Sequence, residues 1–238
     1  IENDIVKRKP TLQLLLELSD NGDKLTDQDL REQVLTLLFG GSDTTARTIE
    51  FLFLMLAQHP EIQDRVYEEL FNIYGVDDPG KNPVKSDDLQ NLQYLERVIK
   101  ETMRLFPAVP IIAREVTEDL EIDGYTIPKG CAVAASIIVL HRDEKYWPDP
   151  LKFDPDRFLP DEIHKRHPLA YMPFLIGSRD CIGRVYALMS IKVIAATFLR
   201  KYILKKDKIT PIKDMKLKPD VLLKLAEPST FRLEKRVK

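Results

Sequence analysis

The sequence predicts an α+β fold that is mostly α-helical. Segments with helical periodicity fill most of the 238 residues, whereas strand-like segments are short and cluster mainly between residues 107 and 140. The composition, 44% hydrophobic and 31% charged, is that of an ordinary globular protein and argues against disorder of the whole chain. We expect residues 1–238 to belong to a single domain.

The charge balance indicates no strongly charged partner. The formal net charge is −2, so we expect neither nucleic acid nor an acidic membrane surface as a partner. The longest apolar run, residues 51–57, is far shorter than the roughly 18 residues of a membrane span, so we expect no anchor or signal peptide in this chain. The two cysteines, Cys131 and Cys181, form no paired motif, which fits a reducing compartment. We expect Cys131 to serve only in packing.

The first third of the chain is predicted to be helical. Residues 12–18 have helical character, and the Asn-Gly-Asp sequence at residues 21–23 then breaks the chain. Thr26 and Asp29 resemble a capping box, which predicts a long helix over Asp27–Gln58.

The middle of this helix carries the sequence Gly-Gly-Ser-Asp-Thr-Thr over residues 40–45. Two adjacent glycines weaken a helix by roughly 1 kcal/mol each relative to alanine. Thr44 could also hydrogen-bond the carbonyl four residues back and open the helix locally. These residues alone leave two interpretations open: a flat ligand pressed against the glycines, or a weakened helix that packs on a neighbouring element.

Two more helices are expected before the strands. The first begins at Pro60 and has an apolar face formed by Ile62, Val66, Leu70 and Ile73. The second is capped by Ser86, runs through Tyr94 to Phe106 and stops before Pro107. It places Glu101 and Arg104 three residues apart, where their side chains can meet.

Strands are expected next. Residues 111–116 form an extended run, and Asp123-Gly124 predicts a hairpin turn. Residues 131–140 form another apolar run. The four histidines lack metal-site spacing, so we interpret each as a structural or surface residue: His59, His141, His164 and His167.

The last third contains the segment that organises the functional hypothesis. After a proline-rich stretch at residues 147–160 comes Phe-Leu-Ile-Gly-Ser-Arg-Asp-Cys-Ile-Gly, residues 174–183, which we call the cysteine loop. A helix is predicted from about Ile182 to Lys201, with an apolar stripe at Ala187, Ile191, Ile194 and Phe198. The tail, residues 217–233, is predicted to form a terminal hairpin whose tip lies around residues 226–230.

Cys181 is the candidate metal ligand. The flanking glycines allow the backbone to approach a flat ligand, and the amides at a helix start can stabilise a thiolate. Arg179 adds positive charge beside the sulfur. For an isolated cysteine, the alternative of a buried structural residue in a glycine-containing turn would be favoured.

The cysteine loop resembles the ligand loop of the cytochrome P450 family, the haem-thiolate monooxygenases, through Phe174, Gly177, Arg179, Cys181 and Gly183. Three further motifs precede the loop in the order typical of the family: residues 39–45, the Glu101–Arg104 pair and Arg157. The resemblance therefore covers nearly the whole chain. It implies that residues 1–238 are a single partial domain, the C-terminal haem-binding lobe of a larger monooxygenase domain.

The resemblance also implies residue roles. Cys181 would be the axial ligand of the iron in haem b. Arg114 would pair with a haem propionate, and the alternative is an exposed strand arginine without that role. Asp43 and Thr44 match the acid-alcohol pair that delivers protons during oxygen activation. Further residues of the cofactor site would be Arg179, Phe174, Gly177, Gly183 and Gly41, and a buried structural network would consist of Glu101, Arg104 and Arg157.

The implied activity is that of an oxidoreductase. It would insert one oxygen atom from O2 into an apolar organic substrate, with electrons from NADPH delivered by a flavoprotein reductase. Residues 97–110, 141–158 and 166–184 look most like the animal branch associated with fatty-acid hydroxylation. Family members sit on the cytosolic face of the endoplasmic reticulum membrane, and membrane association would come only from an N-terminal part outside this chain.

The sequence departs from the family pattern at three positions. Gly40 stands where many members of that branch have a glutamate that forms an ester to haem, so covalent attachment is not expected. Ile176 and Ser178 replace residues that are commonly Ala or Gly and Pro. Because the resemblance assigns residues 1–238 to only the C-terminal part of the family's domain, an alternative function is a truncated, catalytically inactive remnant that binds haem or serves only in interactions. A third alternative is a structural α+β domain without a cofactor.

Overall fold

The computed structural model describes residues 9–20 and 25–236, so the predicted chain break at residues 21–23 lies outside the described residues. The mostly α-helical α+β class is confirmed. None of the helices in the described ranges combines the length and apolarity needed to cross a membrane. The α-helices are α1 (Thr11–Asp20), α2 (Asp27–Gln58), α3 (Pro60–Tyr74), α4 (Gln93–Leu105), α5 (Ile137–Leu140), α6 (Pro160–Ile163) and α7 (Arg184–Leu199).

The chain divides into two compact units, the first ending at Asp43 and the second beginning at Thr44. In the first unit, the predicted capping box at the start of α2 is confirmed. The Thr26 amide donates to Asp29 Oδ2 over 2.8 Å, and the Asp29 amide donates to Thr26 Oγ1 over 3.2 Å. The single-domain expectation for the whole chain stays a prediction.

The core of the second unit is helical. The later part of α2 packs with α3, α4 and α7, and Phe51 stacks on Phe106 with ring centroids 4.5 Å apart. On α3, the predicted apolar positions Ile62, Val66 and Leu70 are buried. The apolar stripe predicted on α7 is wrong at Ile194, which is 43% exposed, because the buried face instead follows Ile191, Ala195 and Leu199.

The start of α4 differs from the prediction. Ser86 opens a short 3-10 helix, Ser86–Gln90, and α4 begins separately at Gln93. The new helix start is capped from outside its own segment, because the Glu69 carboxylate on α3 accepts the Tyr94 amide at 2.6 Å and the Leu95 amide at 2.9 Å. A cap from another helix leaves no local pattern in the sequence.

The strands of the described ranges form four two-stranded antiparallel sheets. The predicted hairpin is confirmed, and Asp123 and Gly124 at its turn have φ values of 50° and 81°. The apolar run at residues 131–140 divides at Ser136, because the amides of Ile137 and Ile138 donate to the Pro110 carbonyl and start α5. The pairs are β1 (Ile111–Glu115) with β4 (Ala132–Ser136), β2 (Leu120–Ile122) with β3 (Tyr125–Ile127), β5 (Tyr202–Lys205) with β8 (Arg232–Lys235), and β6 (Leu217–Pro219) with β7 (Leu223–Leu225).

The predicted terminal hairpin is present only in part: it covers residues 217–225 and turns at residues 220–222, not around residues 226–230. Strands β6 and β7 pair with each other and turn before residue 223, whereas β8 crosses to β5, where Leu204 lies opposite Leu233. Buried Gln63 holds β5 in place, since its side chain accepts the Leu204 amide and donates to the Leu204 carbonyl. The tail therefore pairs with a strand that is anchored to the helical core rather than with itself alone.

Candidate functional site

The cysteine loop presents the Cys181 side chain at the surface of the second unit. The Cys181 amide donates to the Phe174 carbonyl over 2.9 Å, which closes the loop on itself. Leu175 and Gly177 have positive φ values of 61° and 83°, and the Asp180 amide donates to the Gly177 carbonyl. Gly177 suits this conformation because it has no Cβ.

The loop leads directly into α7. Helix α7 begins at Arg184, two residues later than predicted, with Gly183 as its N-cap. The Arg184 amide donates to the Cys181 carbonyl over 3.3 Å, and the Arg184 guanidinium donates to Asp180 Oδ2 over 2.6 Å. Cys181 thus lies just before the positive end of a helix dipole, where an anion is favoured.

The surroundings of Cys181 combine apolar surface with cationic side chains. Ile182 is 94% exposed, and Ile176, Val185 and Tyr186 are exposed as well. Arg179 is exposed and has no carboxylate partner in the described part of the chain. A group of exposed apolar side chains beside a free thiol is unusual on a protein surface and is typical of a ligand or interaction site.

Arg114, the predicted propionate partner, lies on β1. Its guanidinium is exposed and donates to the neighbouring Ala113 carbonyl over 2.8 Å. No acidic side chain of the described residues pairs with it, so this cation is available to an anionic ligand. On the paired strand, Val133 lies opposite Arg114.

The predicted residues of α2 lie on both sides of the unit boundary. Gly41 and Asp43 belong to the first unit and are exposed, whereas half-buried Thr44 belongs to the second. The expected local opening is absent, because α2 is α-helical throughout residues 40–45. Hydroxyl groups nearby bond carbonyls four residues back without breaking the helix, as Thr48 does with Thr44 over 2.9 Å.

The structure brings together a group that we call the arginine cluster, which consists of the buried residues Glu101, Arg104 and Trp147 and the half-buried residues Arg157 and Arg166. Glu101 and Arg104 are fully buried and form a bidentate pair with distances of 2.7 and 2.8 Å. The remaining N–H groups of Arg104 donate to backbone carbonyls of residues 141, 150 and 152. All five guanidinium donors of Arg104 are therefore satisfied.

Arg157 joins this pair from the segment that precedes α6. Its Nε lies 3.7 Å from Glu101 Oε1, and its Nη2 donates to the Asp149 carbonyl over 2.9 Å. The Asp154 amide also donates to Glu101 Oε1. The three residues that were predicted to form a network, Glu101, Arg104 and Arg157, are thus in one place, and they tie α4 to residues 149–157.

Aromatic contacts extend the arginine cluster. The Arg104 and Arg166 guanidinium carbons lie 5.0 and 4.3 Å from the Trp147 ring centroid. The Tyr171 hydroxyl donates to the Lys100 carbonyl over 3.0 Å, and its burial raises the pKa of Tyr171 well above its usual range. The cluster therefore reaches the chain just before the cysteine loop.

His141 is a residue whose role the sequence did not reveal. It is fully buried, and its Nε2 accepts the Met172 amide over 3.0 Å. Burial, followed by the neighbouring Arg104 charge, lowers the pKa of His141 to about 4, so the ring is neutral at pH 7. His59 is half-buried, and His164 and His167 are exposed.

Cys131 corrects one expectation. The side chain is exposed, so the prediction that it serves in packing is wrong. The residue is fixed through its backbone instead, since its carbonyl accepts the Val116 amide over 2.8 Å and its amide donates to the Pro128 carbonyl. Because its side chain is exposed like that of Cys181, Cys131 offers a natural control for Cys181.

Comparison with known proteins agrees with these motifs. The family model described as cytochrome P450 matches residues 2–232. The chain is 41% identical over 239 aligned positions to cytochrome P450 4g15 of Drosophila melanogaster, covering 99% of this chain and 41% of that protein. It is 46% identical over 197 positions to cytochrome P450 4V2 of Rattus norvegicus, covering 82% of this chain and 37% of that protein, and 45% identical to its Homo sapiens counterpart over the same span.

The chain thus spans about two fifths of the length of the curated relatives it matches. The family match covers nearly all of this chain, and the resemblance to the animal branch is confirmed by relatives from insects and mammals. Together with an exposed cysteine on a loop closed at a helix start, these matches show that the chain belongs to the cytochrome P450 family.

Proposed function

We propose that this chain is the haem-binding part of a haem-thiolate monooxygenase. The reaction would insert one atom of O2 into a C–H bond of an apolar organic substrate and release the other atom as water. Two electrons and two protons are needed, and NADPH with a proton supplies them. The substrate class that we propose, by resemblance to the animal branch, is a fatty acid or a similar chain.

The exposed Cys181 thiol carries this proposal. It lies on a loop closed by the 2.9 Å hydrogen bond between the Cys181 amide and the Phe174 carbonyl, so the sulfur is presented in a fixed backbone frame. A thiolate donor suits the iron of a porphyrin, and the exposed apolar side chains beside it suit the flat apolar ring. Arg114 and Arg179, which have no carboxylate partner among the described residues, suit the anionic propionates. The residues present therefore fit a haem group.

Specific residues would hold the cofactor. Cys181 would bind the iron as a thiolate, and the start of α7 would favour the negative charge on its sulfur. Arg179 and Arg114 would pair with propionates, while Phe174, Gly177, Gly183 and Gly41 would leave room for the ring. The haem, when bound, supplies the redox-active iron that activates dioxygen.

The chain's own acid-base groups lie on α2. Asp43 is exposed and can exchange protons with water, and Thr44 follows it directly in the helix. We propose that the Asp43 carboxyl takes up protons and that the Thr44 hydroxyl passes them on. These protons are the ones needed for the second oxygen atom to leave as water. These roles correspond to general acid catalysis, in which a positioned group donates a proton to the atom where negative charge develops.

The partners and location are part of the same proposal. Electrons would arrive one at a time from an NADPH-dependent flavoprotein reductase. The complete protein would sit at the cytosolic face of the endoplasmic reticulum membrane, held by segments outside this chain. It would be a membrane-associated oxidoreductase that binds a metal, the iron of haem.

The test compares the two cysteines. Purified protein is titrated with haem, reduced and exposed to carbon monoxide, and the Soret band is recorded. Unaltered protein and Cys131→Ser are expected to give the red-shifted band of thiolate-ligated haem, whereas Cys181→Ser is expected to lose it. An unchanged band in Cys181→Ser would overturn the assignment.

A turnover assay then separates the alternatives. Haem-loaded protein is incubated with NADPH, a flavoprotein reductase and a long-chain fatty acid, and hydroxylated product is measured. Product that disappears in Cys181→Ser supports the monooxygenase. Thiolate-type haem binding without product would favour the haem-binding remnant, and no haem uptake would favour a structural domain.

A further inference from the structure

We propose that His141 is a positioning residue for the cysteine loop: its carbonyl is bonded to Arg104 of α4 and its buried ring accepts the Met172 amide, so that it fixes the segment that presents Phe174 and Cys181. This inference rests on the proposed function for its consequence at the sulfur. The link itself is a property of the protein with or without cofactor.

The hydrogen bond to Met172 sets the tautomer of the ring. An amide N–H can only donate, so His141 Nε2, at 3.0 Å from the Met172 nitrogen, must present its lone pair. The ring proton of the neutral imidazole therefore resides on Nδ1. Protonation of Nε2 would place two N–H groups against each other and break this bond.

The other ring nitrogen faces the end of α4. Nδ1 is buried and has no hydrogen-bond partner of standard geometry among the described residues. The carbonyls of Arg104 and Met103 lie near enough to the ring to favour a proton on it. Both carbonyls belong to the last turn of α4, where helix geometry leaves carbonyls without an intrahelical donor.

The ring has little freedom to leave this place. It stacks on Tyr171 with centroids 5.3 Å apart, and the His141 carbonyl accepts Arg104 Nη1 over 2.9 Å. The backbone of His141 is thus fixed to the arginine cluster while its side chain is fixed to the next segment. A buried residue whose backbone is bonded to one element and whose ring is bonded to the next is suited to transmit position from one element to the other.

A short series of hydrogen bonds continues from Met172 to the sulfur-bearing residue. The Met172 carbonyl accepts the Leu175 amide over 3.1 Å, and the Phe174 carbonyl accepts the Cys181 amide over 2.9 Å. Each end of the turn at residues 172–175 is therefore defined, with His141 as the anchor on the arginine-cluster side. Loss of that anchor should loosen the turn before it affects the helices.

Two amide variants separate the two ring nitrogens. Glutamine can place an oxygen where His141 Nε2 lies, so His141→Gln keeps an acceptor for the Met172 amide. Asparagine reaches only the Nδ1 position, so His141→Asn lacks that acceptor. His167→Gln is the matched control, because exposed His167 accepts the nearby Leu169 amide through its Nδ1 over 3.2 Å.

Hydrogen exchange of the Met172 amide, measured in haem-free protein, tests the link directly. We expect exchange in His141→Gln within about twofold of the unaltered protein and exchange in His141→Asn faster by roughly tenfold, the scale of one lost hydrogen bond. Equal exchange in the two variants, including a shared failure to fold, would overturn the proposal. His167→Gln is expected to leave Met172 unchanged, and faster exchange there would also contradict it.

The carbon monoxide spectrum tests the consequence at Cys181. After haem loading, His141→Gln is expected to keep the thiolate-type band, and His141→Asn is expected to lose at least half of it. If the two His141 variants differ in Met172 amide exchange but give identical carbon monoxide spectra, the positioning role would be overturned. A missing band in the unaltered protein would instead refute the proposed haem function, and the exchange result would still decide the link.

Discussion

The arginine cluster and the cysteine loop differ in how they place their polar groups: the cluster buries and pairs them, whereas the loop exposes them. In the cluster, Glu101 and Arg104 are fully buried, and every guanidinium donor of Arg104 has an acceptor. In the loop, the Cys181 side chain and Arg179 face outward, and positive φ values at Leu175 and Gly177 hold the turn. One region buries and pairs its charged groups, whereas the other leaves its thiol and its guanidinium group exposed.

This difference indicates how the protein could keep a reactive side chain exposed. An exposed loop has few packing contacts to hold it, so its geometry must come from backbone hydrogen bonds and from the segment before it. That segment begins at Tyr171 and Met172, which are bound to the Lys100 carbonyl and to His141. Stability is concentrated beside the loop rather than within it.

The largest expected effect comes from unpairing the buried carboxylate. Arg104→Met should lower the free energy of unfolding by about 3–5 kcal/mol, because Glu101 would remain buried without its bidentate partner. Urea unfolding followed by circular dichroism measures the loss. Arg179→Met, the matched change in the loop, should cost less than about 0.5 kcal/mol. Equal losses in the two variants would remove the contrast between the regions.

The second-largest effect is expected at acid pH, where His141 should contribute less to stability. The pKa of His141 falls from 6.5 to about 4 on folding, so the unfolded chain binds this proton first. The contribution of His141 is therefore complete above pH 6.5 and declines by about 3 kcal/mol as pH falls to 4.

Unfolding free energies measured across this range should show a steeper decline in the unaltered protein than in His141→Gln, which has no titrating ring. The comparison cancels the carboxyl groups that both proteins share. Parallel pH profiles would contradict the assignment of a neutral, buried ring at His141.

The smallest effect is expected within the loop itself. Gly177→Ala should cost about 1–2 kcal/mol, since an alanine at a φ of 83° is strained even though its Cβ would meet nothing within 4 Å. Ser178→Ala, at an exposed neighbouring position, should change stability by less than about 0.5 kcal/mol. Thermal unfolding of the two variants measures the difference, and a neutral Gly177→Ala would show that the turn is not held in this conformation.

Much of the secondary structure could be predicted from local sequence patterns. The capping box at Thr26 and the Asp123-Gly124 turn are set by neighbours in the chain, so their positions could be predicted. The start of α4 could not, because its cap is Glu69 on another helix. The pairing of β8 with β5 likewise depends on a strand that is distant in sequence.

The candidate site divides in the same way. Cys181 and the Glu101–Arg104 pair stand in short motifs that resemble those of a known family, so the sequence could single them out. His141 carries no such motif, and its role depends on Met172, 31 residues away, and on the burial of its ring. Burial and long-range backbone partners are properties of the packed chain, which explains why a sequence pattern could not assign them.

The arginine cluster also has an optical consequence. Trp147 is the only tryptophan in the sequence, and its indole N–H donates to the Ala170 carbonyl over 3.3 Å. Because Arg104 and Arg166 both lie against its ring, its fluorescence reports on this one place and on no other. The protein therefore contains a native, label-free probe beside its cysteine loop, with which the binding of a strongly absorbing ligand could be followed by energy transfer.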